Sequence, residues 1–243
     1  MKTKYILAIM IIFAMAAQAK KIKTEYFSQA NYGVNNSGTA LQLKFEKGTA
    51  HNHPLFAVWL ADDQGKYIQT LYVSETIGKG IFKRGSRSTG RWMPGEIQRP
   101  ATLPYWFFQR NVRNEKGTLL PTPTNPVVDA YTGATPQASF FLNLKTEKPL
   151  DGRYQIMMEI NQSWDWNEYW YNDKFPGDKD YKTSSQPALV YSATIKSDNK
   201  GIEIKLKPIG HSHYSGKDGS LNADVSTLTT ALQIAKNMTV KIQ

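Results

Sequence analysis

Residues 55–60 read Leu-Phe-Ala-Val-Trp-Leu, an unbroken apolar run. Such a run is typical of a β-strand that is buried on both faces, because polar residues alternate with apolar ones only where one face meets water. Asp63-Gln64-Gly65 follows as a turn signal, and residues 67–73 form a second apolar run that leads back. Two such runs on either side of a short turn predict a β-hairpin.

Shorter runs with strand periodicity occur on both sides of this hairpin. Residues 41–45 and 154–160 alternate between apolar and polar side chains, which predicts half-buried strands. Strands outnumber helices, and no regular strand–helix alternation appears. We therefore predict a mainly β protein, an immunoglobulin-like β-sandwich with one short C-terminal helix, formed by a single domain over residues 39–243.

Two further segments depart from this pattern. Residues 224–235 carry apolar side chains at spacings of three and four, which predicts the C-terminal helix, and residues 238–242 predict a closing strand. The Pro-rich stretch 94–126 is predicted to be a long loop, a feature that is often functional in compact domains.

The beginning of the chain has the features of an export signal. Lys2 and Lys4 precede an apolar run over residues 5–16, and Ala17-Gln18-Ala19 supplies the small residues that signal peptidase requires. We expect residues 1–19 to be removed and residues 20–38 to form a flexible lead-in. The apolar run is shorter than the roughly 20 residues that span a bilayer. The mature protein is therefore expected to be soluble, without a transmembrane segment, and periplasmic or otherwise secreted.

Composition excludes several kinds of chemistry. The chain has no cysteine, which rules out disulfides, thiolate metal sites and cysteine catalysis. Its formal charge of +10 is spread along the sequence, with clusters no denser than residues 20–23 and Lys83-Arg84. Because the charge is scattered and the protein is expected outside the cell, we predict no nucleic-acid partner.

Residues 129–135, Asp-Ala-Tyr-Thr-Gly-Ala-Thr, form the most informative motif. Esterification of a hydroxyl needs an accessible side chain on a narrow piece of backbone. Gly133 permits unusual backbone angles, and Ala134 adds little bulk beside Thr135. Pro136 favours an extended conformation of Thr135, which keeps its hydroxyl away from helical backbone groups.

The motif resembles the flavin-attachment sequence of FMN-binding domains in sodium-pumping NADH:quinone reductases and Rnf complexes. That sequence is an Asp, two variable residues, Ser or Thr, Gly, Ala and Thr. The resemblance implies that a flavin transferase of the ApbE type esterifies flavin mononucleotide (FMN) to Thr135. It also implies that Asp129 helps to present this residue, and that Thr132, Gly133 and Ala134 form the tight turn that the transferase recognises.

One position departs from the pattern of this family. Many members have Ser or Thr two residues after the modified Thr, whereas this chain has Gln137. The alternative interpretation is an ordinary turn, centred on Asp129, between Val128 and a strand from Phe140.

A second resemblance covers most of the predicted mature chain. Residues 54–60, 67–73, 103–106 and 209–212 are similar to a family of periplasmic proteins known as domain of unknown function 2271. Its members are similar in length, carry a signal peptide and are linked with flavin-transfer and membrane redox systems. The resemblance implies a periplasmic location and supports flavin attachment, but it implies no activity.

Aromatic residues suggest surfaces for the flat isoalloxazine ring, because such rings stack on aromatic side chains. The candidates are Tyr105 and Trp106 in one cluster, and Trp164, Trp166 and Trp170 in another. Core packing is the alternative for the first cluster, and sugar stacking is the alternative for the second.

The four histidines form two pairs, His51 with His53 and His211 with His213. Residues two apart on a strand share a face, so each pair could offer two imidazoles to a copper or zinc ion. Histidines in loops at strand ends are the alternative interpretation.

Two hypotheses about function follow. The first is an exported flavoprotein that carries FMN on Thr135 and exchanges electrons with a membrane redox protein, acting as a carrier rather than as an enzyme. The second is a periplasmic β-sandwich module that binds carbohydrate or metal through the aromatic residues or the histidine pairs.

Overall fold

The computed structural model describes residues 26–28, 36–127 and 131–243. The predicted signal peptide and Asp129 lie outside these residues. The strands are β1 (Tyr26–Ser28), β2 (Ala40–Lys47), β3 (Leu55–Asp62), β4 (Tyr67–Ser74), β5 (Ile81–Ser86), β6 (Met93–Glu96), β7 (Tyr131–Gly133), β8 (Ser139–Lys145), β9 (Arg153–Asn161), β10 (Leu189–Lys196), β11 (Ile204–Lys205), β12 (Lys207–Ser212), β13 (Leu221–Asn222) and β14 (Ala235–Ile242). The helices are α1 (Glu75–Lys79), α2 (Pro104–Arg110) and α3 (Tyr181–Ser184), with one 3-10 turn at Ala231–Gln233.

The strands form two large sheets and one small one. One large sheet has five strands in the order β1-β8-β2-β14-β11, and the other has seven in the order β13-β12-β10-β9-β3-β4-β7. Strands β5 and β6 pair separately. Inward side chains of the two large sheets, among them Leu43 and Phe45 of β2 and Phe56 and Val58 of β3, share one core. The prediction of a mainly β chain with packed sheets is confirmed.

The hairpin predicted from residues 55–73 is confirmed as β3 and β4, which pair in antiparallel fashion. Strand β3 is buried on both faces. Its even-numbered residues face the core between the sheets, whereas Ala57, Trp59 and Ala61 belong to a second core on the outer face of the seven-stranded sheet. This outer core explains why the run has no polar alternation.

The second core is closed by the Pro-rich stretch, which is not one long loop as predicted. It contains β6 and helix α2, and Trp106 and Phe107 of α2 pack against the outer face of the sheet. Pro104 occupies the start of α2, where its missing N–H is not needed. Aromatic residues have modest helix propensity, so this short helix depends on its contacts with the sheet.

The predicted helix at residues 224–235 is wrong. Only the 3-10 turn at Ala231–Gln233 is helical there, and β14 already begins at Ala235. Hydroxyl side chains in this segment bond elsewhere: the Thr227 hydroxyl accepts the indole N–H of Trp170, and Thr230 donates to Asp165. Such side-chain bonds compete with a regular helix. The closing strand predicted at 238–242 is confirmed as part of β14.

Two described parts of the predicted lead-in, residues 20–38, contact the five-stranded sheet. Strand β1 pairs in parallel with β8, in the register Tyr26 to Ser139. Asn36 and Gly38 donate hydrogen bonds to the carbonyl groups of Lys145 and Thr146. These contacts attach residues 26–28 and 36–38 to the five-stranded sheet.

None of the helices in residues 26–28, 36–127 and 131–243 is long and apolar enough to cross a bilayer.

Candidate functional site

Residues 131–135, the described part of the predicted flavin-attachment motif, lie at one edge of the seven-stranded sheet. Strand β7 pairs in parallel with β4, placing Thr132 opposite Val73 and Gly133 opposite Ser74. The prediction that Thr132, Gly133 and Ala134 form a tight turn is therefore wrong for the first two, which are strand residues. The chain leaves the strand at Ala134, whose side chain is exposed.

Thr135 follows directly after this strand, and its side chain is partly exposed. Its Oγ1 atom lies 3.1 Å from the Oγ atom of Ser74, at the end of β4. The Ser74 hydroxyl is itself buried and accepts the backbone N–H of Phe56 at 3.0 Å. At the edge of the sheet, the Thr135 hydroxyl thus has a defined hydrogen-bond partner in Ser74.

The backbone around Thr135 is fixed by three further hydrogen bonds. The Tyr72 hydroxyl donates to the Gly133 carbonyl at 3.1 Å. Gln137 donates from Nε2 to the Thr135 carbonyl at 3.0 Å, and Lys47 donates from Nζ to the Gln137 carbonyl at 3.0 Å. Gln137, the residue that departs from the family pattern, therefore helps to hold the segment in place.

Helix α1 packs against strand β7 of the motif. A Cβ atom added to Gly78 would lie 2.5 Å from Cγ2 of Thr132, so only glycine allows this approach. Thr132 is therefore a packing residue between β7 and α1.

We expect Tyr72→Phe to lower the free energy of unfolding by about 1–2 kcal/mol, because the buried Gly133 carbonyl loses its donor. The ring remains and keeps its stacking on Phe56 at 5.0 Å, so no cavity forms. Urea unfolding of the two proteins measures the difference. An unchanged midpoint would show that this hydrogen bond does not stabilise the motif.

The structure contains a cleft of about 370 Å³, which we call the basic cleft. Its lining residues are Asn52, His53, Leu55, Thr76, Phe82, Lys83, Arg84, Arg99, Ser163 and Trp164. Three of these side chains are cationic, and none is a carboxylate.

The basic cleft and Thr135 are bounded by the same short segments of chain. Ser74 contacts Thr135, and Thr76 of the cleft follows it by two residues at the start of α1. The N–H of Phe56 bonds to Ser74, and the preceding residue, Leu55, also lines the cleft. Both features therefore lie at the end of the sheet where β3 begins and β4 ends.

Arg99 is the most constrained cation of the cleft. It donates from Nη1 to the Ser163 hydroxyl at 3.1 Å, and its guanidinium carbon lies 4.4 Å from the centre of the Phe82 ring. Burial lowers the pKa of Arg99 from its usual value. An arginine nevertheless stays protonated in proteins, so it supplies a fixed positive charge.

The five predicted stacking residues differ in how deeply they are buried. Trp106 is fully buried and donates its indole N–H to Thr70, and Trp170 is a core residue that is 9% exposed. Neither ring has a free face, so the prediction that these two stack on a flavin is wrong. Tyr105 and Trp166 are partly buried against the two cores. Trp164 is 64% exposed and lines the basic cleft.

The histidine pairs do not present the shared face that was predicted. His51 and His53 lie outside the strands; His51 is buried beside Phe45, whereas His53 is exposed with a φ of 55°. His211 ends up buried in β12, and His213 follows that strand. Within the described residues, no group of three or more His, Asp or Glu side chains could hold a metal ion.

Sequence reasoning missed the neighbours of Thr135. Ser74 is 61 residues away in the chain, and no local pattern relates the two. Lys83 and Arg84 are visible in the sequence as a basic pair, but Arg99, His53 and Trp164 come from separate loops and only folding places them beside that pair.

Comparisons with known proteins leave this site to be interpreted from its own chemistry. No protein-family model, no curated protein and no solved structure matches the chain.

Proposed function

We propose that this protein is an exported flavoprotein that carries FMN esterified to Thr135 and transfers electrons to or from a membrane redox protein. The observation that carries the proposal is the motif at 129–135 together with the partly exposed side chain of Thr135. Signal-peptide features, and the resemblance to the family of domain of unknown function 2271, support a periplasmic location. We also propose that the packed sheets have an immunoglobulin-like arrangement.

The residues around Thr135 suit such an attachment. In the proposed transfer, Thr135 Oγ1 forms a bond to the phosphorus of the FMN half of FAD, the pyrophosphate bond breaks, and AMP leaves. The hydroxyl proton passes to a base of the transferase. Ser74, 3.1 Å away, orients the hydroxyl, and exposed Ala134 leaves room for the transferase. The bound flavin would supply the electron-transfer chemistry, and the protein would hold it in place.

The test is coexpression of the full chain with a flavin transferase of the ApbE type, followed by tryptic digestion and mass spectrometry. Cleavage after Lys116 and Lys145 yields a peptide that contains Thr132, Thr135 and Ser139. We expect this peptide to gain the mass of FMN less water, and fragmentation to place the addition on Thr135. Expression without the transferase is the control. An unmodified peptide, or an addition on Thr132 or Ser139, would reject the proposal.

A second candidate function is carbohydrate binding. It is favoured by one observation, the exposure of Trp164, Tyr169 and Tyr171 within a short segment, because sugars stack on exposed aromatic rings. A saturable change of tryptophan fluorescence on addition of oligosaccharides would support it. The metal-binding version of this module has no comparable support in the described residues.

A further inference from the structure

The basic cleft concentrates positive charge on a concave surface. Lys83 and Arg84 are exposed on β5, and Arg99 is held against Phe82 and Ser163. In the described parts of the chain, none of the three cations forms an ion pair with a carboxylate. Unpaired positive charges among the residues that line a cleft raise the local concentration of anions. The cleft therefore favours a ligand with negative charge.

One wall of the cleft is aromatic and conformationally unusual. Trp164 is 64% exposed and has a φ of 65°, a left-handed conformation that is uncommon for a bulky residue. His53, with a φ of 55°, lines the same cleft. Residues held in such conformations cluster at ligand-binding sites, where the surrounding structure compensates their cost. An exposed indole beside three cations suits a flat ligand that also carries negative charge.

Size and position relate the cleft to Thr135. A volume of about 370 Å³ lies within the range of small-molecule sites. Ser74 contacts Thr135, and Thr76, two residues further along the chain, lines the cleft, so a group that occupies the cleft from Thr135 Oγ1 needs a flexible linker. The ribityl chain of FMN is such a linker between phosphate and ring.

We propose that the basic cleft binds the isoalloxazine ring of the flavin carried on Thr135, an inference that rests on the proposed function. Trp164 is the stacking surface, and Lys83, Arg84 and Arg99 supply the positive charge around the ring. Phe82 and Leu55 provide apolar contact within the cleft.

This placement has an electrostatic consequence for the protein's own cations. Two-electron reduction of a flavin with uptake of one proton, the electrons coming from the redox partner protein, leaves the ring with one additional negative charge. Fixed cations stabilise that charge more than they stabilise the neutral oxidised ring. The cleft therefore raises the midpoint potential of the bound flavin.

The experiment uses full-length protein flavinylated by coexpression, with attachment on Thr135 established by mass spectrometry in every sample. Trp164→Ala removes the stacking surface, and Trp164→Phe keeps an aromatic ring there. The double variant Lys83→Gln/Arg84→Gln removes two charges from the cleft. Lys205→Gln/Lys207→Gln removes two exposed charges that do not line the cleft, and serves as the matched control.

We expect a severalfold rise in flavin fluorescence in Trp164→Ala and little change in Trp164→Phe, because stacked indole quenches flavin emission. We expect the midpoint potential to fall in Lys83→Gln/Arg84→Gln and to change less in the control variant. Flavin attached to Thr135 with wild-type fluorescence and potential in both cleft variants would overturn the cleft assignment alone. Absence of flavin from Thr135 in the wild-type protein would overturn the proposed function, and the cleft assignment with it.

Discussion

Replacement of Thr135 by valine is expected to abolish covalent flavin attachment while leaving the protein folded. Valine has nearly the shape of threonine but lacks the hydroxyl, so nothing remains to form the phosphoester. The folded state loses only the contact with the Ser74 hydroxyl, which costs about 1 kcal/mol. Flavin fluorescence that stays with the denatured protein on a gel, quantified against total protein, measures attachment.

Thr135→Ser is the matched control for this prediction. It keeps a hydroxyl at the same position beside Ser74, so we expect it to retain covalent flavin, although serine has more rotational freedom. A valine variant that carries as much flavin as the wild-type protein would contradict the assignment. Loss of flavin in both variants, with both still folded, would indicate that the transferase requires the threonine methyl group.

The free energy of unfolding is expected to fall as pH rises from about 6.5 to about 8, because of Glu159. This side chain is fully buried on β9, and its carboxyl oxygens accept the backbone N–H groups of Tyr105 and Trp106 at 3.2 and 2.7 Å. Glu159 thereby caps the first turn of α2, because Leu103, the residue before the helix, makes no side-chain hydrogen bond to it. Burial raises the pKa of Glu159 to about 8, although these N–H groups and the Ser212 hydroxyl oppose the shift.

The direction of the effect follows from proton binding. The folded protein holds the Glu159 proton up to about pH 8, whereas the unfolded chain releases it near its ordinary pKa of 4.5. The stabilisation is therefore complete below pH 4.5 and is lost as pH rises towards 8, at roughly 1 kcal/mol per pH unit.

His51 is a second buried group that titrates, and it limits the pH range in which Glu159 alone changes the free energy of unfolding. Burial, with a smaller contribution from Lys47, lowers the pKa of His51 from 6.5 to about 4. The stability that comes from neutral His51 is present above pH 6.5 and is lost as pH falls towards 4. Between about pH 4.5 and 6.5 the two effects oppose each other. The range from 6.5 to 8 therefore tests Glu159.

Glu159→Gln provides the comparison, because glutamine resembles the protonated carboxyl group and does not titrate. Urea unfolding at several pH values should give a falling free energy for the wild-type protein between pH 6.5 and 8, and a flatter profile for the variant. Glutamine directs its NH2 group at one of the two backbone donors, so the variant is expected to be less stable at low pH. Equal slopes for the two proteins would refute the role of Glu159.

The parts of the fold that sequence predicts are those in which neighbouring residues decide the structure. The hairpin of β3 and β4 follows from two apolar runs around Asp63-Gln64-Gly65, and β14 contains the predicted closing strand. Residues 224–235 have helical spacing, but Leu228 and Ala231 reach the core through turns, while threonine side chains bond to distant groups. Spacing alone does not reveal such long-range bonds.

In the candidate site, too, local motifs can be recognised in the sequence, whereas long-range contacts cannot. Thr135 is predicted from its local motif, whereas its contact with Ser74, and the grouping of Arg99 with Trp164 in the basic cleft, depend on the pairing of distant strands and loops. Exposure also cannot be read from residue type. Trp106 and Trp164 are both tryptophans within aromatic clusters, yet the first is a core residue of α2 and the second lines the basic cleft.

Strand β3 has a further consequence, which concerns how its alignment with its neighbours is specified. A shift of one residue that brings residues 55–60 to the positions of residues 56–61 would exchange the two faces, and each of these positions would still be apolar. Polarity therefore cannot prevent a shift in that direction, and side-chain volume must do so. Ala57 and Ala61 flank Trp59 on the outer face, where α2 approaches, and the opposite face carries the larger Phe56 and Leu60. The alternation of small and large side chains thus fixes the register of the central strand.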